Sequence, residues 1–391
     1  MIGYALLKDE ALPEIGSHGY LYRHEKSGAC VCYLSNPDDD NKVFCISFRT
    51  PPEDDCGTPH IIEHTVLCGS DKYPLKDPFM QLEKGSMNTF LNAMTGSDMT
   101  MYPIASQNAK DFHTLMDVYM DAVFHPFIRK SKYPFMQEGW HYVPDPEADS
   151  ASIQGVVFNE MKGARSDPED IMVDRVYAHL FPDNAYHFNA GGVPEHIPEL
   201  TYEKYMDFYQ RHYQPSNSII FLYGDGDQEE ILEYLDKEYL SQMTDSGTTY
   251  AVAEQKPFSA PKHVVEPYAA MDEDDTVYFS CSFAHGSWSD TTYINCLNLL
   301  GYLLIEGDGA PLREALIKQK IGDDVYSSVE TDINRPVFSI VVKNADPEKE
   351  QLFYDTIRTV CQKIAEEGFE EDQLEGALNR AEFRMREGNQ S

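Results

Sequence analysis

The sequence predicts an α+β protein made of two related units, each an antiparallel-rich sheet with helices packed against it. Three observations carry this prediction. Short runs of alternating apolar residues recur between clusters of Gly, Pro, Asn and Asp, as strands and their turns do. Between them lie segments with apolar residues at three- and four-residue spacing, the pattern of amphipathic helices. The order of these segments in the second half echoes the first, as a duplicated unit would.

Near the N-terminus, YLYRHEKSGACVCYL (20–34) and NKVFCISFRT (41–50) read as adjacent strands joined by the turn NPDDDN. A helix follows from about Thr58, then a Gly- and Pro-containing connection through Asp77. NAMTGSDMTMYPIAS (92–106) alternates about a Gly/Ser/Asp turn and reads as a hairpin. From Asn108 to Val123 the spacing predicts a helix with Phe112, Leu115, Met116, Tyr119 and Val123 along one side. Another helix is expected over 171–180, and a third in TYEKYMDFYQRHYQPSN, stopping before Pro215. SIIFLYGD is a short buried strand that ends at a Gly/Asp turn.

Between Leu240 and Pro267 the chain turns polar and loses any strong period, which places the boundary between units 1–250 and 251–391. The second unit restarts with VYFSCSFAHG, where the first has VFCISFRTPPEDDCG, and continues into a helical segment, TTYINCLNLLGYLLIEG. VYSSVETDINRPVFSIVVKNADPEKEQLFYDTIRTVCQ then offers strand, turn, strand, short connection and helix, as FLNAMTGSDMTMYPIASQNAKDFHTLMDVYMDAV does. The final LEGALNRAEFRMREGNQS stays helical without a closing strand, so a second unit that copies the first lacks its last third and the chain reads as a fragment.

Composition narrows the function classes. With 42% hydrophobic and 25% charged residues, 391 residues form ordinary globular domains. A net charge of −35 argues against an unassisted grip on nucleic acid or anionic lipid and suits basic or neutral partners. No window reaches the roughly 18 apolar residues of a membrane span. The eight cysteines are scattered rather than spaced as a secreted framework, and MIGYALLKDEALPEIG resembles neither a signal nor a transit peptide, so a reducing cytoplasm is expected.

The sharpest chemical signal is His60-Ile61-Ile62-Glu63-His64. On a helix this spacing sets both imidazoles on one face, one turn apart, within reach of a single metal ion, with Glu63 near enough to contact a water on it. Zn2+ suits two histidines and a carboxylate, with one position left for water. The third ligand must come from another element. Glu160, after the apolar run of GVVFNEMKG, is the first candidate; Glu138 and His141 in MQEGWHY are rivals. Other features are blander: YGDGD at 223–227 lacks a P-loop lysine, MDEDD at 271–275 lacks calcium-loop spacing, and His187, His196 and His212 read as capping, packing or surface residues.

HIIEHTVLCGSDKYPLKDPF, SMNTFLNAMTGSDMTMYPIAS, GVVFNEMKGA and NAGGVPEHIPELTYEKYMDFYQRHYQPSN together resemble the N-terminal half of the pitrilysin-type zinc peptidases, in the presequence protease and falcilysin branch. The resemblance covers nearly the whole chain and is densest from Pro51 to Gly224. It implies a pitrilysin/LuxS-like metallohydrolase architecture, with His60, His64 and Glu160 as zinc ligands and Glu63 as the general base that activates water. It implies, further, that Asn92 and Ala93 contact the backbone of an extended, unstructured peptide. Full-length members of that family enclose substrate between four such units joined by a helical hairpin, with an Arg and a Tyr from the C-terminal half steadying the substrate carbonyl. That half has no counterpart here, so weak or no turnover is expected of this chain alone, and the second unit, which lacks the HxxEH pattern, is expected to be noncatalytic. The alternative function is a noncatalytic peptide-binding or structural subunit of the same fold.

Overall fold

The structure, a computed structural model, describes residues 3–145, 150–269 and 277–387; the acidic turn at 271–275 lies outside them. The chain divides into two compact units, Met1–Pro257 and Phe258–Ser391.

The first unit is built on one large sheet. Its chain runs β1 (Tyr4–Leu12), β2 (Ser17–His24), β3 (Cys30–Ser35), β4 (Lys42–Arg49), α1 (Thr58–Val66), α2 (Pro78–Gly85), β5 (Asn88–Leu91), β6 (Met94–Thr95), β7 (Met99–Ser106) and α3 (Ala109–Phe124). After these come a two-stranded hairpin of β8 (His141–Asp145) and β9 (Ser150–Gln154), then α4 (Val156–Ala164), α5 (Pro168–Leu180), α6 (Tyr202–His212), β10 (Ser218–Gly224) and α7 (Gln228–Glu238). The sheet order is β1-β2-β3-β10-β4-β7-β5, with β6 also paired to β7. The stretches 20–34 and 41–50 are therefore not neighbours, as their closeness in sequence suggests. β10 lies between them, parallel to β3 and antiparallel to β4. The reason is burial: Ile220 and Leu222 are fully buried, and so apolar a strand is satisfied only with a partner on each side.

Helices fill one face of this sheet. Phe112, Leu115, Met116, Tyr119 and Val123 of α3 are buried in one cluster with Ile46 and Phe48 of β4, Ile104 of β7, and Ile220 and Leu222 of β10. The Asn108 side chain caps α3 by accepting from the Asp111 amide, and Thr201 caps α6 through the Lys204 amide. α6 ends at His212, as Pro215 requires of the residues before it.

β5 and β6 lie consecutively along the side of β7 that faces away from β4, forming one interrupted edge strand with Asn92 and Ala93 at the break. α1 is unusual in being buried almost all round, including His60 and Glu63. Its core contacts are apolar through Ile61, Ile62 and Val66, and Thr65 Oγ1 meets both the Ile61 carbonyl and the Tyr205 hydroxyl. Buried polar side chains on such a helix require specific partners.

The second unit runs β11 (Val277–Ala284), α8 (Thr291–Gly301), α9 (Pro311–Lys318), β12 (Asp324–Glu330), β13 (Val337–Ala345), α10 (Glu350–Glu367) and α11 (Glu371–Glu387). Its antiparallel sheet has the order β11-β13-β12, the topology of β4-β7-β5 in the first unit. Phe279, Leu312, Leu316, Phe338, Ile340, Val342 and Phe353 form its core. No helix among the described residues is long and apolar enough to cross a membrane.

Candidate metal centre

The partners that α1 requires come from five later segments, which contribute Thr95, Glu138, Glu160, Gly191 and Tyr205. His60 and His64 lie one helical turn apart with ring centroids 4.9 Å from each other. The Nε2 atoms of both rings stand 3.7 Å from the same Glu160 oxygen, Oε2. That spacing is too long for a hydrogen bond and near the roughly 3.3 Å edge of a tetrahedron with ligand bonds of about 2.0–2.1 Å. One ligand atom from each of His60, His64 and Glu160 lies within 4.8 Å of the others, the one group of three such side chains among the described residues. Two imidazoles and a carboxylate are a donor set that fits zinc.

Glu160 reaches this place on α4, midway along the helix. The apolar run before it, Val156–Phe158, is the first turn of α4 itself, with Val157 and Phe158 buried and Glu160 left with 53% of its side chain exposed. A hairpin links α4 to the other acidic candidate. Glu138 sits in a single π-turn, Phe135–Gly139, just before β8, and a Cβ on Gly155, just after β9, would lie 2.0 Å from the Gly139 carbonyl oxygen. Glycine is needed there for the two backbones to touch, and their contact fixes Glu138 relative to α4.

Glu138 does not join Glu160. It lies on the far side of His64, with Oε2 3.3 Å from Nδ1, and it also accepts a hydrogen bond from Gln137. His60 has an equivalent partner, the Gly191 carbonyl oxygen 3.2 Å from its Nδ1. Each ring thus has its Nδ1 engaged by an acceptor and its Nε2 turned toward Glu160, the arrangement that fixes the tautomer of a ligating histidine. His141 is elsewhere, its Nδ1 on the Met136 carbonyl.

The electrostatics favour a cation between these groups. Burial works against charge on His64, but the hydrogen bond to Glu138 and the carboxylates of Glu63, Glu138 and Glu160 outweigh it and raise its pKa. Burial likewise opposes ionisation of Glu138, yet hydrogen bonds from His64 and Gln137 hold its carboxyl below the usual range. Surroundings that favour a proton on His64 favour any cation, so proton and metal compete for the imidazole. Beside it, burial and then the negative charges of Glu138 and Asp77 push the Cys68 thiol up to about 12.

Glu63 is buried and accepts a hydrogen bond from Thr95 Oγ1 at 2.7 Å. Thr95 belongs to β6, so the edge strand and the carboxylate are in direct contact. At the break in that edge, the Asn92 amide donates to the Pro103 carbonyl, its own carbonyl accepts from the Tyr119 hydroxyl, and its Oδ1 takes the Ala93 amide. Sequence reasoning missed Thr95, Gly191 and the place of Glu138. Of these only Glu138 carried a signal, as a carboxylate beside a Trp in a segment already suspected.

His187 and His196 take no part in this group; the first meets the Ala178 carbonyl and the second Glu199. His212 is stacked on Phe208 and Tyr250, with ring centroids 3.9 and 4.0 Å away.

Residues 48–136 match the family model described as Insulinase (Peptidase family M16), and residues 199–381 the model described as Peptidase M16 inactive domain. The chain is 43% identical over 390 residues to Protein HypA of Clostridium perfringens, covering 99% of this chain and 40% of that relative. To Presequence protease 1, chloroplastic/mitochondrial, of Arabidopsis thaliana it is 40% identical over 395 residues, covering 99% of this chain and 36% of the relative. It therefore spans about two fifths of the length of these curated relatives. Among solved structures, a protease from Helicobacter pylori shares the fold at a TM-score of 0.67 and 16% identity, covering 93% of this chain and 84% of the other. Pitrilysin shares it at 0.61 and 17%, covering 95% and 39%. The architecture is thus the α+β fold of the pitrilysin-like peptidases, and the chain belongs to peptidase family M16.

Proposed function

We propose that this chain carries the zinc centre and general base of a metalloendopeptidase that cuts short, unfolded peptides inside an enclosed chamber. The observation that carries this reading is the meeting of His60 and His64, on the helix that also holds Glu63, with Glu160 of the distant helix α4. His60 and His64 would hold the ion through Nε2 and Glu160 through its carboxylate. Zinc bound there would polarise the scissile carbonyl and lower the pKa of a water toward neutrality.

The chain's own groups would do the rest. Glu63, steadied by Thr95, would take the proton of the attacking water and return it to the leaving amine nitrogen. The edge formed by β5 and β6 offers an extended peptide backbone hydrogen bonds with little demand on sequence, with Asn92 and Ala93 at its break as contact residues. Most of each relative's length lies outside the part this chain matches, and efficient turnover is expected only with an equivalent of that part to complete the chamber and supply transition-state donors. The second unit is read as noncatalytic, since its α8 carries no histidine and the metal-ligating trio lies wholly in the first. The eight free cysteines fit a cytoplasmic setting.

The test is zinc per chain by elemental mass spectrometry after exhaustive dialysis, for wild type and Glu160→Gln. About one zinc is expected in wild type, with clear loss in the variant at unchanged circular dichroism. No zinc after controlled reloading would overturn the metal-centre reading. In a longer polypeptide with peptidase activity, Glu63→Gln should keep zinc and lose roughly 10²- to 10⁴-fold in cleavage rate; equal cleavage by both would remove Glu63 from the role of base.

A further inference from the structure

We propose that Asn189 is a positioning residue for the metal centre, using one loop to set both the ring of His60 and the helix that bears Glu160. The inference rests on the reading of His60, His64 and Glu160 as metal ligands and extends it to a residue outside that group.

The loop from Asn189 to Val193 lies against the start of α1. Asn189 Oδ1 accepts from two backbone amides, Gly191 at 2.8 Å and Gly192 at 3.2 Å, and so folds the loop about its own side chain. Its amide donates to Asp55 Oδ1 at 2.9 Å, and the Val193 amide to the Asp55 carbonyl at 2.8 Å. These bonds clip the loop to the segment that enters α1. The folded loop turns the Gly191 carbonyl onto His60 Nδ1.

The same side chain reaches the other way. Asn189 Nδ2 donates to Asp174 Oδ1 of α5 at 2.7 Å, and the second oxygen of Asp174 is paired with Arg165, the residue that follows α4. Burial raises the Asp174 pKa, while Arg165 and Asn189 oppose the rise. The α1 side of the centre and the α4 side are therefore joined through one planar amide.

Close packing leaves the loop little freedom to compensate. A Cβ on Gly57 would lie 2.6 Å from the Gly191 carbonyl oxygen, and one on Gly192 would lie 2.8 Å from the Gly57 Cα. A Cβ on Gly191 would come within 3.0 Å of the Met161 methyl, next to Glu160. Asparagine alone among side chains of this size offers an acceptor to two amides and a donor to a carboxylate from one rigid group. Aspartate keeps the acceptor and sets a second negative charge against Asp174; alanine loses both functions.

The experiment compares wild type, Asn189→Asp and Asn189→Ala in the 391-residue chain. Zinc affinity is measured by competition with a chromophoric chelator, and ligand geometry by the visible absorption of the cobalt(II)-loaded protein. Supporting partners of this kind are worth about 10- to 100-fold in metal affinity. Both variants are expected to lose affinity in that range and to shift the cobalt band, with thermal unfolding still cooperative. Wild-type affinity and an unshifted band in either folded variant would overturn the proposal. Loss of cooperative unfolding in both would assign Asn189 to the fold instead and overturn it equally. Failure of the underlying reading looks different: wild type itself would bind neither ion, or His60→Ala and Glu160→Gln would bind as wild type does.

Discussion

His64 stands between two carboxylates, Glu138 at 3.3 Å from its Nδ1 and Glu160 at 3.7 Å from its Nε2. The two acids do different work. One orients the ring by accepting its proton, and the other shares the space where a metal would lie. Removing Glu138 should therefore loosen the centre without deleting a ligand. Glu138→Ala is expected to weaken zinc binding about 10- to 100-fold. Glu138→Gln, which keeps an acceptor, should fall between the two in chelator competition. Unchanged affinity in the alanine variant would place Glu138 outside the centre.

Thr95 ties the β5–β6 edge to Glu63, the proposed general base. Its hydroxyl donates 2.7 Å from Glu63 Oε2, and a hydrogen bond to a charged group contributes about 1.5–3 kcal/mol. Thr95→Val keeps the shape and removes the donor. In a catalytically competent longer polypeptide it should lower kcat roughly 10- to 100-fold while zinc content stays at wild type. A change in KM alone would show that Thr95 acts on the peptide and not on Glu63.

Gly155 closes the hairpin between the two acidic segments, with the position of its missing Cβ 2.0 Å from the Gly139 carbonyl oxygen. Gly155→Ala forces the backbones apart. Overpacking of this kind costs about 1–3 kcal/mol and should lower the melting temperature by several degrees. Because the displaced segments hold Glu138, in the turn before β8, and lead to Glu160, zinc affinity should fall with it. A variant as stable as wild type would mean that the contact yields freely.

His212 gives the first unit an acid-sensitive point. Its ring is fully buried between Phe208 and Tyr250, and its Nδ1 has no hydrogen-bond partner among the described residues. Burial, and after it the Arg211 charge, lower its pKa to about 3. The unfolded chain, with an ordinary value of about 6.5, then binds this proton more readily than the folded one. Stability contributed by the neutral ring is present above pH 6.5 and falls as pH drops toward 3, by about 2 kcal/mol at pH 5. Urea unfolding at pH 7 and pH 5 should show that loss in wild type and much less in His212→Phe, which keeps the stack. Equal losses in the two proteins would locate the acid sensitivity elsewhere.

The parts of this site that sequence could reveal are those set by local geometry. His60 and His64 declare themselves because a helix repeats at that spacing, and α3 and α6 because their apolar residues and capping side chains lie within one segment. Glu160 and Glu138 are indistinguishable at that level. What separates them is which nitrogen of His64 each faces, and that is decided by the hairpin and α4 packing, not by residue type. The pairing of β3 with β10 was hidden for the same reason, since a strand's partner is chosen by burial over nearly two hundred residues of chain. Thr95 and Asn189 are ordinary polar residues in turn-rich segments; their segments carry the family resemblance, but nothing singles out these two side chains until the fold brings Glu63 to Thr95, and His60 to the loop that Asn189 folds.

The distance in sequence between α1 and α4 also sets an order of events during synthesis. The two imidazoles become neighbours as soon as one short helix forms, whereas Glu160 has not yet been translated. At about 5–20 residues per second the ribosome needs roughly 5 to 20 s to reach it. In the proposed centre an ion captured before then would have only two protein ligands and exchange readily, and the arriving carboxylate would close the site. Metal retention would thus serve as a clock for tertiary folding. A nascent chain arrested before Val156 should release zinc to a weak chelator, and one arrested well beyond the folded first unit should hold it.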